Sequence, residues 1–314
     1  MPESDTVIIP AADGERLHTW WQPPAPGAPT LVMAHGIGGI KAAGLRPFFE
    51  HFVREGFGAA CFDYRGWGAS SGTPRELVDI PAQRADYRAV LDWVRAQPEV
   101  DPERIVLWGT SFAGMHVVEI AAADPSIRAA IAQCPLVDGL AGVANVPVLR
   151  SARLTFEALV DRVGAWGGMP PRYVPLCVDD GEFGVIATRD SLVGLERLRP
   201  KDGTEWPNRI TARAITQITF ARPVRRARDI TCPILMVVAS EDTMAPTAPA
   251  VKVSATAPRG ELYRSAGGHY DVYEGGIDHE NVLRVQTEFI RRHCGPGPAP
   301  KGVDGTDGDA SGLE

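Results

Sequence analysis

From Thr30 onward, short and uninterrupted apolar runs alternate with helical stretches. Thr30 to Ala34, Gly58 to Phe62, Ile105 to Trp108 and Ala129 to Cys134 are the runs; Phe48 to Arg54, Ala82 to Ala96 and Phe112 to Ala123 separate them. A strand that is apolar at every position has no face to offer water, and a helix between two such strands is what a parallel crossover needs. The pattern therefore reads as an α/β protein with a parallel sheet covered on both faces. In the helix after Pro81, Tyr87, Val90, Leu91 and Val94 recur at i, i+3, i+4 and i+7, while Arg84, Asp86, Arg88 and Asp92 fall elsewhere. Ahead of this unit, Thr6 to Ile9 and Leu17 to Trp21 flank Asp13-Gly14, which predicts a β-hairpin.

The rhythm stops after Pro135, and the next convincing strand is Ile234 to Ala239. The intervening stretch far exceeds the dozen or so residues of a crossover, and structureless loops of that length are rare in compact domains. Residues 139–222 are thus expected to be an inserted lid, with helices around Leu149 to Val163, Ser191 to Leu198 and Thr211 to Ile218. The core is assigned to residues 1–138 and 223–294, closing with Glu261 to Tyr263 and a helix over Val282 to Arg292. Residues 295–314 hold nine Gly or Pro, four acids and almost nothing apolar, so this tail is expected to be disordered.

Composition narrows the class of function. With 44% hydrophobic and 23% charged residues in 314, the chain reads as an ordinary globular enzyme. A formal charge of -7, and no basic run longer than the pairs Arg225-Arg226 and Arg291-Arg292, gives no footprint for nucleic acid. The longest apolar runs are strand-sized, so no membrane segment is expected. Five scattered cysteines without Cys-x-x-Cys spacing, and a start lacking the basic and apolar regions of a secretory signal, predict free thiols in a reducing cytoplasm. A homodimer is left open.

The sharpest motif is Trp108-Gly109-Thr110-Ser111-Phe112-Ala113-Gly114, where a buried strand meets a helix. Ser111 there would sit on a tight turn that small neighbours at 109 and 113 permit, with Ala113 standing where G-x-S-x-G has its second glycine. The Phe112 N–H would open the helix as an orphan donor facing developing negative charge. His35-Gly36-Ile37-Gly38-Gly39 ends another strand with free amides, so Ile37 and Phe112 are the candidate oxyanion hole.

A hydroxyl needs a base, and the base needs an orienting group. Of seven histidines, His269 lies after a strand at the carboxyl edge of the sheet, where catalytic groups of open sheets gather; His279 is the fallback. Asp242 follows the strand Ile234 to Ala239 directly and leads its rivals Glu241 and Asp138 as the acid. No His-Glu-x-x-His, paired histidines or Asp-rich loop appears, so neither a metal nor a cofactor is expected.

These residues resemble the α/β-hydrolase superfamily over roughly Thr6 to Arg292. The resemblance rests on His35 to Gly38, Asp63-Tyr64-Arg65-Gly66-Trp67-Gly68-Ala69-Ser70, Gly109 to Ala113, Glu241-Asp242 and Gly268-His269, and Ser111, Asp242 and His269 follow one another in that superfamily's order. Among its members the chain looks most like bacterial esterases, thioesterases and dienelactone-hydrolase-like or X-prolyl-peptidase-like enzymes. The resemblance implies a mostly parallel eight-stranded sheet, a lid after strand six, acyl-enzyme chemistry and a structural role for Asp63 to Ser70. The expected activity is a serine hydrolase cleaving an ester, thioester or lactone of a small acyl substrate. Cleavage of a C–C bond of β-diketone type, acyl transfer or cleavage of a small peptide remain alternatives on the same residues, and a catalytically silent binding module is the alternative from another class. Trp166, Tyr173, Phe183 and Trp206 are the candidates to line an apolar substrate site, with packing between lid and core as their other role.

Overall fold

A computed structural model describes residues 5–295; the disordered tail expected from residue 295 falls, Gly295 apart, outside the described residues. In chain order the first half comprises β1 (Asp5–Pro10), β2 (Arg16–Gln22), β3 (Thr30–Ala34), α1 (Arg46–Arg54), β4 (Gly58–Phe62), α2 (Ile80–Arg95), β5 (Ile105–Thr110), α3 (Phe112–Ala121) and β6 (Ala129–Gln133). There follow α4 (Gly139–Ala144), α5 (Val148–Trp166), β7 (Tyr173–Pro175), β8 (Cys177–Val178), β9 (Ile186–Ala187), α6 (Ser191–Arg197), β10 (Arg209–Thr211) and α7 (Ala214–Phe220). The chain then returns with β11 (Ile234–Ala239), α8 (Thr247–Thr256), β12 (Gly260–Ser265) and α9 (His279–Cys294).

Eight strands form one sheet in the order β1-β2-β4-β3-β5-β6-β11-β12. β3, β4, β5, β6, β11 and β12 run parallel, and the β1–β2 hairpin closes one edge antiparallel to β4. The central strands are buried at every position because helices cover both faces. Along β5, Val106 and Trp108 pack with Phe48, Phe52 and Phe289 from α1 and α9, while Ile105 and Leu107 pack with Tyr87, Val90, Leu91 and Val94 from α2. All four of those α2 side chains are fully buried, each contributing roughly 1.5–3 kcal/mol of hydrophobic stabilisation.

Residues 139–222 add no strand to this sheet. Their two ends lie side by side, the Gly139 N–H donating to the Ala221 carbonyl and the Val224 N–H to the Val137 carbonyl. Asp138 clamps this neck: it caps α4 and accepts a paired contact from the Arg222 guanidinium at 2.7 Å. The insertion is not purely helical, since β7 pairs with β10 and β8 with β9. Thr211, placed by sequence in a helix, ends β10 instead, and α7 starts three residues later. No helix among the described residues is long and apolar enough to cross a membrane.

Candidate active site

β5 ends at Thr110 and α3 begins at Phe112, leaving Ser111 at φ 53°, ψ -118°. Such a backbone costs a non-glycine residue about 1–3 kcal/mol and persists only where the surroundings enforce it. Here the Ser111 N–H donates to the Gln133 carbonyl at 2.7 Å, while its own carbonyl accepts from Gly114 at 3.0 Å and Leu136 at 3.2 Å. Gly109 is obligatory, because a Cβ there would stand 2.7 Å from the Ala113 carbonyl oxygen and 2.8 Å from Val117. The Ala113 methyl, by contrast, is accommodated in the core. Beneath the turn runs a buried chain of hydrogen bonds from Tyr273 through Thr110, Gln133 and Gln286 to the Trp108 indole, each link 2.7–3.1 Å. A satisfied network of this kind rigidifies the elbow from below.

The loops after β11 and β12 carry the candidate acid, Asp242, and the candidate base, His269. One Asp242 oxygen accepts from the Met244 and Ala245 N–H groups, both at 2.8 Å; the other meets His269 Nδ1 at 2.8 Å. That arrangement leaves Nε2 as the nitrogen available for proton transfer. His269 is 3% exposed. Burial alone would push its pKa down, but the Asp242 charge and hydrogen bond, with Asp190 further off, overcome this and hold it above the usual value. Ser111 and His269 line the same cavity, although among the described residues the hydroxyl forms no hydrogen bond to the imidazole. Such contacts are often loose without substrate.

Several of the other histidines are engaged elsewhere. His279 Nδ1 donates to the Val272 carbonyl, His51 pairs with Thr287 and His293 with Glu261. His116 lies fully buried in α3, where burial lowers its pKa to about 3. Of the rival acids, Asp138 is committed to the neck and Glu241 points to solvent. Cys134, Asp242 and His269 bring ligating atoms within 4.8 Å of one another. Burial raises the Cys134 thiol well above its ordinary pKa, and the Asp242 and His269 atoms are already paired with each other.

The turn after β3 lies directly against the serine: a Cβ at Gly36 would come within 3.0 Å of Ser111 Cβ. Neither the Ile37 nor the Phe112 N–H has a hydrogen-bond acceptor among the described residues. Two braces fix the turn. His35, uncharged because burial lowers its pKa to about 4, bonds the Gly36 carbonyl through Nδ1 at 3.0 Å. Behind it the Asp63 carboxylate accepts from the Lys41 N–H at 2.7 Å and the Lys41 ammonium at 2.5 Å, both buried, and from the Ala69 N–H at 3.1 Å.

Above Ser111 opens a cavity of about 170 Å³ roofed by the insertion. Its walls are aliphatic, chiefly Leu136, Val143, Val146, Leu154, Ile215 and Ile218. A smaller lobe of about 50 Å³ continues past Ile37 toward Leu176, Trp206 and Tyr273. Of the four aromatic residues singled out by sequence, Trp206 lines this smaller lobe, its indole donating to the Gly38 carbonyl at 2.6 Å. The other three line neither lobe. Trp166 ends α5 and is 81% exposed, Tyr173 packs under Arg209 with its hydroxyl on the Arg75 carbonyl, and Phe183 stacks beneath Arg153. Aromatic content marked the insertion but not the side of it that faces Ser111.

Sequence reasoning missed Asp190. Its carboxylate accepts from Thr243 at 2.6 Å and Thr188 at 2.8 Å and lies against Gly268, so it reaches from the insertion to the loops carrying both Asp242 and His269. A candidate base that acts in its neutral form, with its pKa held above the usual 6.5, would make kcat/KM fall on the acid side with an apparent pKa above that value. Asp190→Asn, which keeps an acceptor for the two hydroxyls and removes the charge, should move this limb to lower pH. A pH–rate profile of both proteins checks it, and a limb below 6.5 in the parent protein contradicts the reading.

Comparison with known proteins agrees with this geometry. Residues 12–270 match the X-Pro dipeptidyl-peptidase (S15) family. The chain is 36% identical over 264 residues to the quorum-quenching protein AidA of Acinetobacter baumannii, covering 84% of this chain and 86% of that one. It is 30% identical over 298 residues to the polyketide transferase grgF of a Penicillium species, covering 93% and 97%; the solved structure of the α/β-hydrolase GrgF superposes with a TM-score of 0.78 at 28% identity, covering 93% and 99%. It is 30% identical over 280 residues to the thiohydrolase aneE of Aspergillus aculeatus, covering 84% and 85%. An eight-stranded, mostly parallel sheet, a strained serine at the β5–α3 turn and these similarities converge: the chain is a hydrolase of the α/β-hydrolase fold and belongs to the X-Pro dipeptidyl-peptidase (S15) family.

Proposed function

We propose that Ser111 is the nucleophile, His269 the general base, Asp242 its orienting partner, and the Ile37 and Phe112 amides the oxyanion hole of an enzyme that cleaves an ester, thioester or lactone. The observation that carries this is the Ser111 backbone at φ 53°, which holds the side chain at the floor of the cavity it shares with His269 and against the Gly36 turn. His269 Nε2 takes the hydroxyl proton as Ser111 Oγ attacks the acyl carbon. The tetrahedral oxyanion meets the two amides, each worth roughly 3 kcal/mol of transition-state stabilisation. Collapse expels the alcohol or thiol, which leaves with the proton from His269. Water, deprotonated by the same imidazole, then releases the acid and restores Ser111.

The cavity supports an uncharged aliphatic acyl group as the part of the substrate bound beside Ser111, and the thiohydrolase among the relatives supports a thioester as one leaving-group class. The polyketide transferase favours a second reading, in which an alcohol or thiol replaces water in the second half-reaction. The aliphatic walls serve this reading too, by keeping water scarce. Dipeptide release is disfavoured on electrostatic grounds. The α-ammonium of an X-Pro peptide needs a carboxylate, none lines either lobe among the described residues, and burying it unpaired costs several kcal/mol. Medium-chain nitrophenyl esters and acyl thioesters should therefore exceed a Gly-Pro anilide in kcat/KM by more than roughly 1000-fold. Faster turnover of the dipeptide anilide would reverse this assignment.

A further inference from the structure

α5 has two unlike faces. Inward, Leu154, Ala158 and Asp161 are buried, and Ser151, Leu154 and Thr155 help roof the large cavity. Outward, Leu149, Ala152, Phe156, Leu159, Val163 and Trp166 recur at alternating spacings of three and four, the seam of a two-stranded coiled coil. Leu149 is 87% exposed, Phe156 62% and Trp166 81%. Val148, Val160 and Met169 widen the patch, so that on the order of 1000 Å² of apolar surface faces outward. The largest patch of a typical monomer is roughly 300–600 Å², and a stable dimer buries roughly 800 Å² per partner.

The candidate occupants are separable by chemistry. Residues 296–314 carry only Val303 and Leu313 as large aliphatic groups, too few to cover nine positions. An anionic lipid surface would repel a protein of formal charge -7. A second copy fits, because the seam is self-complementary when reversed. About a two-fold axis passing between Glu157 and Ala158, Leu149 meets the partner's Trp166, Ala152 meets the partner's Val163 and Phe156 meets the partner's Leu159. Each pair occurs twice, and the small Ala152 leaves room for its larger opposite. The flanking arginines are already occupied: Arg153 lies 3.7 Å from the Phe183 ring, and Arg162 donates to the Arg213 carbonyl and Thr216.

We infer that two copies of this chain associate through the outward face of α5, antiparallel, so that each copy's cavity roof is held by the other. Analytical ultracentrifugation at micromolar concentration should show a species of twice 33.7 kDa. Phe156→Lys and Leu159→Glu should each weaken the dimer on the order of 100-fold, since each places an unpaired charge in an apolar seam. The double variant, in which the introduced charges face each other across the axis, should regain on the order of 10-fold. Near- and far-UV circular dichroism spectra matching those of the parent protein would show that these exposed positions leave the fold intact. A parent protein that sediments as a monomer overturns the inference. So do single variants that stay dimeric, a double variant no tighter than the singles, or a monomer that instead co-sediments with phosphatidylcholine vesicles.

Discussion

Ser111→Ala should lower kcat by a factor on the order of 10⁶ while leaving KM and the melting temperature close to those of the parent protein. The size of the effect follows from what the hydroxyl does in the proposed mechanism: without it no acyl-enzyme forms, and only the amides and the cavity remain to favour direct attack by water. Stability should hardly change, because alanine keeps the Cβ, and the strain at φ 53° is imposed by backbone hydrogen bonds that the substitution leaves in place. Groups that act as a unit are not additive, so His269→Ala alone, and the double variant, should fall to about the same floor. Steady-state kinetics on an activated ester checks all three. Residual activity within tenfold of the parent protein would assign the chemistry to another residue.

The second large effect concerns stability. Lys41→Met leaves the Asp63 carboxylate buried with its backbone donors but without its counter-charge, a change that costs about 3–5 kcal/mol when such pairs are broken. Against a typical total of roughly 5–15 kcal/mol this should lower the urea midpoint markedly. Activity should fall as well, since Lys41 follows the Gly36 turn and Asp63 pins it to the loop after β4. Lys41→Met/Asp63→Asn, which removes both charges and keeps an acceptor for the backbone N–H groups, should recover much of the lost stability. If the single variant unfolds at the parent midpoint, the pair is not the brace described here.

How much of this was legible in the sequence depends on the range over which each signal acts. The β5–α3 elbow was readable because its determinants, a buried run, Gly109 and an apolar helix, are contiguous. The sheet was readable because fully buried strands cannot alternate, and Tyr87, Val90, Leu91 and Val94 announced the buried face of α2. The order of Ser111, Asp242 and His269 came from resemblance rather than from spacing. Contacts made across the fold were invisible. Thr243 meets Asp190 53 positions away, and the Trp206 indole reaches a Gly38 carbonyl 168 positions away. The two- and three-residue strands β7 to β10 are too short to show any period. On α5 the apolar periodicity was strong, but it could not say that Leu154 and Ala158 face the core while Phe156 and Trp166 face out. Both stripes are apolar, and only the packed insertion distinguishes them.

Rapid-quench intact mass spectrometry of the enzyme during turnover of an aliphatic nitrophenyl ester puts the central proposal to its sharpest test. The expected result is a mass increment equal to the acyl group, confined on peptide mapping to the segment containing Ser111 and absent from Ser111→Ala. Turnover with no covalent adduct at any quench time, or an adduct carried by Cys134 or another residue, would contradict it.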